Sequence, residues 1–150
     1  MRELADLAAM KALTGQEVAV SDWFAITQQR IDLFADATDD HQWIHVDAER
    51  AARESPYRQT VAHGFLTLAL VPAMLTNALH MADMKMGLNY GLNRVRFPAP
   101  VPVGSRLRAR MTIVAISDIE GGAQVDWGVV IEREGSDKPV CVAEFIMRRY

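Results

Sequence analysis

The chain has 150 residues, of which half are hydrophobic and 23% are charged, and its 19 acidic and 16 basic side chains give a net charge of -3. This length and composition predict one globular domain, residues 1–150, with a single core. The negative net charge gives no electrostatic reason to expect a nucleic-acid partner. Charged residues interrupt the apolar pattern of residues 1–15, which differs from a signal peptide, so we expect a cytoplasmic protein.

The first half of the chain has helical periodicity. Thr27 is placed to cap a helix whose apolar residues recur at helical spacing from Ile31 to Thr38. Asp47 can cap a second, short helix, Ala48 to Glu54, which Pro56 ends. We expect the stretch between them, TDDHQWIHVD at 38–47, to form a loop.

A long apolar segment follows, from Gly64 to Leu79. Because it is apolar nearly all round, it must be surrounded by protein or by lipid. Its sixteen residues are too few and too polar to span a bilayer well, so we expect a buried central helix, with a possible kink at Pro72, and no membrane partner.

After about Leu88 the period changes to that of strands. Residues 107–115 and 125–131 alternate between apolar and polar side chains, and Gly121-Gly122 and Gly135 to Pro139 are typical of turns. Short turns join antiparallel strands. The sequence therefore predicts an α+β fold in which a curved antiparallel sheet wraps around the long central helix.

A single cysteine, Cys141, rules out an internal disulfide, and its alternating apolar context predicts a buried structural thiol. The sequence contains no dinucleotide-binding glycine pattern, phosphate-binding P-loop or Gly-x-Ser-x-Gly elbow. His41 and His45 stand four apart, and with Asp40 or His63 they would provide metal ligands on a helix. Their loop context favours acid-base chemistry without a metal.

Asp40 and His45 are the natural acid-base pair, since a carboxylate and an imidazole in one loop can both exchange protons with a water molecule. In the alternative interpretation Asp40 only caps a turn and His45 only packs. Gly64 opens the apolar helix, where its N–H can bind an oxygen that becomes negative during a reaction. A glycine needed only for close packing explains the same position.

The segments ATDDHQWIHVDAERAA, 37–52, and AHGFLT, 62–67, closely resemble the MaoC-like dehydratases, the (R)-specific enoyl-CoA hydratases of the hotdog fold. The usual loop of that family is Gly-Asp-x-Asn-Pro-hydrophobic-His followed six residues later by alanine or serine. Asp40, Ile44, His45 and Ala51 match it. Asp39 replaces the glycine, and Gln42-Trp43 replaces Asn-Pro, as in the branch that includes the nodulation protein NodN.

The resemblance implies reversible addition of water to a trans-2-enoyl thioester, giving a (3R)-3-hydroxyacyl thioester. It implies that Asp40 and His45 activate one water and that the Gly64 N–H binds the thioester oxygen. No cofactor is expected, because coenzyme A, or an acyl-carrier protein in its place, is part of the substrate. The candidate substrate-binding residues are Gln42, Trp43, His63, Phe65, Arg94 and Arg96.

Within that set, Trp43 and Phe65, together with Leu66, are candidates for the wall of an acyl tunnel, although plain core packing explains aromatics equally well. His63 is expected to fix the entrance of the loop. Arg94 and Arg96 are candidates for contacting phosphate, and Arg106, Arg108 and Arg110 form a second basic face that solvated strands also show.

Two other functions remain open for this fold. A hotdog thioesterase hydrolyses the thioester with a carboxylate, and a noncatalytic module only binds an acyl-CoA or acyl carrier. The presence of His45 after Asp40 favours hydration. A sheet this small also leaves an edge strand unpaired, which predicts a homodimer joined edge to edge.

Overall fold

The computed structural model describes all 150 residues. A curved antiparallel sheet contributes much of the hydrophobic core. The strands are β1 (Arg2–Leu4), β2 (Glu17–Val20), β3 (Phe24–Ala25), β4 (Leu79–Met81), β5 (Gly87–Arg96), β6 (Arg106–Ile119), β7 (Gly122–Arg133) and β8 (Cys141–Arg149). The helices are α1 (Leu7–Lys11), α2 (Gln28–Thr38), α3 (Trp43–Val46), α4 (Ala48–Glu54), α5 (Gly64–Ala69) and α6 (Val71–Ala78). The main sheet has six strands in the order β2-β6-β7-β8-β5, and β3 also pairs with β6.

The two capped helices form where the sequence predicts them. The Thr27 side chain accepts a hydrogen bond from the Arg30 N–H at the start of α2, and Asp47 accepts one from the Arg50 N–H at the start of α4. These caps satisfy backbone donors that a helix cannot satisfy itself. The segment between them is not all loop, because α3 adds one helical turn to it.

The central helix is shorter and less regular than predicted. It divides into α5 and α6 at Leu70 and ends at Ala78, and Leu79 already belongs to β4. Pro72 lies in the first turn of α6, where its missing N–H costs least, and a continuous helix would have needed that N–H. The predicted kink is therefore a break between two helices, two residues before the proline.

The predicted alternation of β6 and β7 is confirmed. The inward side chains of the two strands are almost completely buried: Leu107, Ala109, Met111, Ile113, Val125, Trp127, Val129 and Ile131. The strands pair antiparallel and turn at Gly121, whose φ of 72° is in the left-handed region that glycine tolerates. Their inner face packs against the central helices, so one core holds both.

Two contacts made by the terminal segments of the chain were not predicted from the sequence. β1 and β4 form a separate parallel pair, with Glu3 opposite His80. Arg149, at the end of β8, is buried and its guanidinium binds Asp83. Cys141 is buried as predicted, and burial raises the pKa of its thiol to about 11.

One edge of the main sheet is open. β5 pairs with β8 on one side and with no strand on the other. It exposes three large apolar side chains, Leu88, Tyr90 and Leu92. No helix in the chain is long and apolar enough to cross a membrane.

Candidate active site

Asp40 follows Asp39, the residue that caps the C-terminal end of α2, and the backbone conformation of Asp39 sets its position. Asp39 ends the helix with a φ of 57°, in the left-handed region. That conformation favours glycine, and aspartate tolerates it better than most residues. The backbone therefore explains why the family loop carries glycine at this position and why Asp39 is an acceptable replacement. The Asp40 side chain is half exposed.

His45 lies on α3 with a buried ring. Its Nδ1–H donates to the Val61 carbonyl at 2.6 Å, which leaves Nε2 as the unprotonated nitrogen. Burial lowers the pKa of His45, and the nearby His63 lowers it further, while the Val61 hydrogen bond and Asp40 raise it. The ring is therefore held in one tautomer and kept neutral over a wider pH range than a free imidazole.

His63 packs against His45 at the start of α5. The two rings stack with centroids 3.8 Å apart and an interplanar angle of 27°. The Nε2–H of His63 donates to the Asp40 backbone carbonyl at 2.9 Å, and its buried Nδ1 has no partner in the chain. His63 thus holds the loop at Asp40, which agrees with the predicted structural role.

Asp40, His45 and His63 lie close together. One atom from each, a carboxylate oxygen or a ring nitrogen, lies within 4.8 Å of the other two. Two hydrogen bonds of about 2.8 Å each can span such a separation through one water molecule. The geometry therefore suits a water shared by a carboxylate and an imidazole.

The same three residues are a poor match for a metal centre. The lone pairs of an imidazole lie in the ring plane, so two stacked rings direct them side by side and not toward a common ion. His41, the other histidine of the loop, is exposed and binds Asp36 at 3.0 Å, and this hydrogen bond raises the pKa of His41. The absence of a metal stays a prediction.

Gly64 is the first residue of α5, and its N–H has no acceptor in the chain. The position is also tightly packed, because a Cβ there would lie 2.9 Å from the ring of Phe97. Both explanations of the glycine, the free donor and the close packing, thus correspond to features of the structure.

A cavity of about 270 Å³ begins at Gly64 and is lined by Tyr57, Thr67, Phe97 and Val101 among others. Trp43 and Phe65 do not line it. Trp43 is half-buried beneath the Arg50 guanidinium, and Phe65 is 69% exposed and meets Phe97 edge-on.

Two further residues of the predicted substrate site have other surroundings. Leu66 is buried in the core, and Gln42 is exposed before α3. The largest cleft, about 520 Å³, lies beside Trp23 and Glu132 and contains none of the predicted site residues except Arg108 of the second basic face.

The five arginines singled out in the sequence fall into two groups. Arg106, Arg108 and Arg110 are paired with carboxylates of neighbouring strands, so the second basic face is neutralised within the chain: their partners are Glu134, Glu132 and Glu17. Arg94 and Arg96 are exposed and have no carboxylate partner. Of these five arginines, only Arg94 and Arg96 offer free charge to an anion.

Together, the curved antiparallel sheet and the central helices that it wraps define a hotdog protein, in which the Asp40 carboxylate lies beside the buried imidazole of His45. Comparison with known proteins agrees. The model of the MaoC like domain family matches residues 9–134. The chain belongs to the MaoC-like family, as its sequence motifs predict.

Two relatives match nearly the whole chain. The chain is 52% identical to 3-hydroxyacyl-thioester dehydratase Z of Mycobacterium tuberculosis, covering 99% of this chain and 98% of that protein. It is 46% identical to nodulation protein N of Rhizobium leguminosarum bv. viciae, covering 97% and 91%. The fold is that of the R-hydratase PhaJ1 from Pseudomonas aeruginosa, with a TM-score of 0.75, 23% identity and coverage of 91% and 81%.

Proposed function

We propose that the protein is an (R)-specific hydro-lyase that adds water reversibly to the 2,3 double bond of a trans-2-enoyl thioester. The observation that carries the proposal is the convergence of the Asp40 carboxylate and the neutral His45 ring within 4.8 Å. The name of the mycobacterial relative, a 3-hydroxyacyl-thioester dehydratase, describes the reverse of this reaction.

In the proposed reaction the two residues share one water. In the hydration direction the oxygen of the water bonds to C3 and a proton is delivered to C2, so all atoms of the water enter the product. The pair removes one proton from the water and supplies one to carbon, and it ends in its starting charge state. Asp40 and His45 interact closely and are treated as one acid-base unit.

The Gly64 N–H is proposed to bind the thioester oxygen. As C3 is attacked, negative charge moves to that oxygen, and an unpaired backbone donor at a helix start stabilises it. The Gly64 N–H is free, and Gly64 lines a cavity of about 270 Å³ that neither Asp40 nor His45 lines.

The acyl group is proposed to be carried by coenzyme A or by an acyl-carrier protein. Both carriers present phosphate, for which Arg94 and Arg96 are free cations on the open edge strand. We propose that no separate cofactor takes part, because the addition of water needs none. We also propose that the protein is cytoplasmic.

The test compares two products in one incubation with trans-2-enoyl-CoA. Loss of the conjugated double bond without release of thiol supports hydration. Release of thiol identifies a thioesterase, and binding without either reaction identifies a noncatalytic module, so both outcomes contradict the proposal. Short and long trans-2-enoyl-CoA substrates are tested in parallel.

A homodimer through β5 is also proposed. The strand has unpaired backbone groups and exposes Leu88, Tyr90 and Leu92, and a 250 Å³ apolar groove beside it is lined by Leu92 and Pro72. A second copy, paired antiparallel to β5, would cover all of these. Light scattering should give the dimer mass for the native chain, and a monomer mass at micromolar concentration would contradict the proposal.

A further inference from the structure

His45 lies on a helix that cannot hold itself in place. α3 has four residues, and so short a helix is unstable unless other parts of the protein support it. Its supports come from two segments distant in sequence. Val61 binds it twice, by donating its N–H to the Ile44 carbonyl and by accepting the His45 Nδ1–H.

The third support is the side chain of Gln28, in the first turn of α2. Its Nε2 donates to the backbone carbonyl of His45 at 2.8 Å. Its Oε1 accepts the hydroxyl of Thr60 at 2.6 Å. Thr60 is buried and directly precedes Val61, so one amide group connects the helix that carries His45 with the segment that holds its ring.

The orientation of that amide is fixed by its neighbours. Nε2 also donates to the Asp32 carboxylate at 2.8 Å, one turn further along α2. The His45 carbonyl and the Asp32 carboxylate only accept, so both must face the NH₂ group. The hydroxyl of Thr60 then has the amide oxygen as its acceptor. All the hydrogen bonds of Gln28 are made only in this orientation.

We propose that Gln28 is a positioning residue that fixes the ring of His45 through the carbonyl of His45 and the hydroxyl of Thr60. The loss of its amide would allow α3 and the Thr60–Val61 segment to move relative to each other. The His45 Nδ1–H bond to Val61 would then lose its geometry, and with it the direction of Nε2. Small displacements of a catalytic group have large effects on rate.

The inference rests on the proposed function for its kinetic consequence, so its test includes a signal that does not depend on activity. Gln28→Met keeps the length of the side chain and removes its hydrogen bonds. Gln29→Met is the matched control, because Gln29 is the exposed neighbour on α2 and its side chain makes no hydrogen bond. In ¹⁵N-labelled protein, the protected ring N–H of His45 is identified by its loss in His45→Gln.

We expect Gln28→Met to lower kcat by about tenfold to a hundredfold, since the reacting group is displaced while substrate contacts remain. KM should stay within about twofold of the native value. The His45 ring N–H signal should exchange faster or disappear, and Gln29→Met should change neither kcat nor the signal. A folded Gln28→Met that keeps both kcat and the signal overturns the proposal.

Two further outcomes are distinguishable. If the native protein hydrates no enoyl thioester, the proposed function fails, and a His45 signal that persists in Gln28→Met then overturns the positioning role independently. If Gln28→Met does not fold, the test uses Thr60→Val and Thr60→Ser in its place. Of these two variants, only Thr60→Ser keeps the hydroxyl that donates to Gln28. The valine variant should then lose more kcat and more protection of the His45 signal, and equal behaviour of the two overturns the proposal.

Discussion

Gly64→Ala should destabilise the fold through one defined contact. The added methyl would lie 2.9 Å from Cδ2 of Phe97 and 3.1 Å from two further ring atoms, where ordinary contacts begin at 3.4 Å. The ring must therefore retreat by about 0.5 Å or more, and overpacking of this kind costs about 1–3 kcal/mol. Phe97 is 40% exposed and can move outward, which places the expected loss near the lower limit.

The assay measures the thermal melt and the hydration rate of the folded fraction in two backgrounds. In the native background Gly64→Ala should lower the melting temperature by about 2–4 °C for a loss near 1 kcal/mol. In the Phe97→Ala background the ring is gone, so the same substitution should cost almost no stability. The N–H of residue 64 is present in every variant.

The rate in the Phe97→Ala background separates the two explanations of Gly64. If the N–H binds the thioester oxygen, a methyl beside it should still lower turnover by about tenfold or more. An unchanged rate there would leave close packing as the sole reason for the glycine. A melting temperature that drops equally in both backgrounds would refute the reasoning from Phe97.

The other predictions concern two ionisable groups, His45 and Asp83. Because burial lowers the pKa of His45 below the ordinary 6.5, the acid limb of the rate profile should have its midpoint below pH 6.5, and a midpoint above it would contradict the assigned environment. Because the pKa of His45 is lower in the folded state, the folded state binds fewer protons than the unfolded state just below pH 6.5. The free energy of unfolding should therefore decrease as the pH falls from 6.5, and it should decrease less in His45→Gln. Asp83→Ala should destabilise the fold by about 1–3 kcal/mol in chemical denaturation, because it leaves the buried Arg149 guanidinium without its carboxylate. The hydrogen bond from Arg149 lowers the pKa of Asp83, so the stabilisation that Asp83 provides is present above about pH 4 and disappears in acid. An Asp83→Ala variant as stable as the native chain would contradict this role of Asp83.

Features encoded by neighbouring residues were predictable. Caps and periodicity identified α2 and α4, because the Thr27 and Asp47 side chains bond to backbone groups three residues away. Strict alternation identified β6 and β7, since one face of each is buried. The loop motif indicated that Asp40 and His45 lie together, and in the structure an oxygen or nitrogen of each lies within 4.8 Å of the other. Their joint action on one water stays a prediction.

Features that depend on distant residues were not predictable. The stack of His63 on His45 and the bridge from Gln28 to Thr60 join segments well separated in the chain, and no local periodicity encodes them. The turn of α3 was missed because four residues give no period. The break before Pro72 follows from backbone geometry that the sequence indicated only as a possible kink.

The claim that Asp40 and His45 act on one water is tested most directly by the hydration rates of two single variants and their combination. Asp40→Asn removes the charge and His45→Gln removes the titrating ring, and each should lower kcat by at least about a hundredfold in folded protein. If both act on one water, the double variant should be hardly slower than either single one. Near-normal turnover in either single variant, or losses that multiply in the double variant, would contradict the shared water.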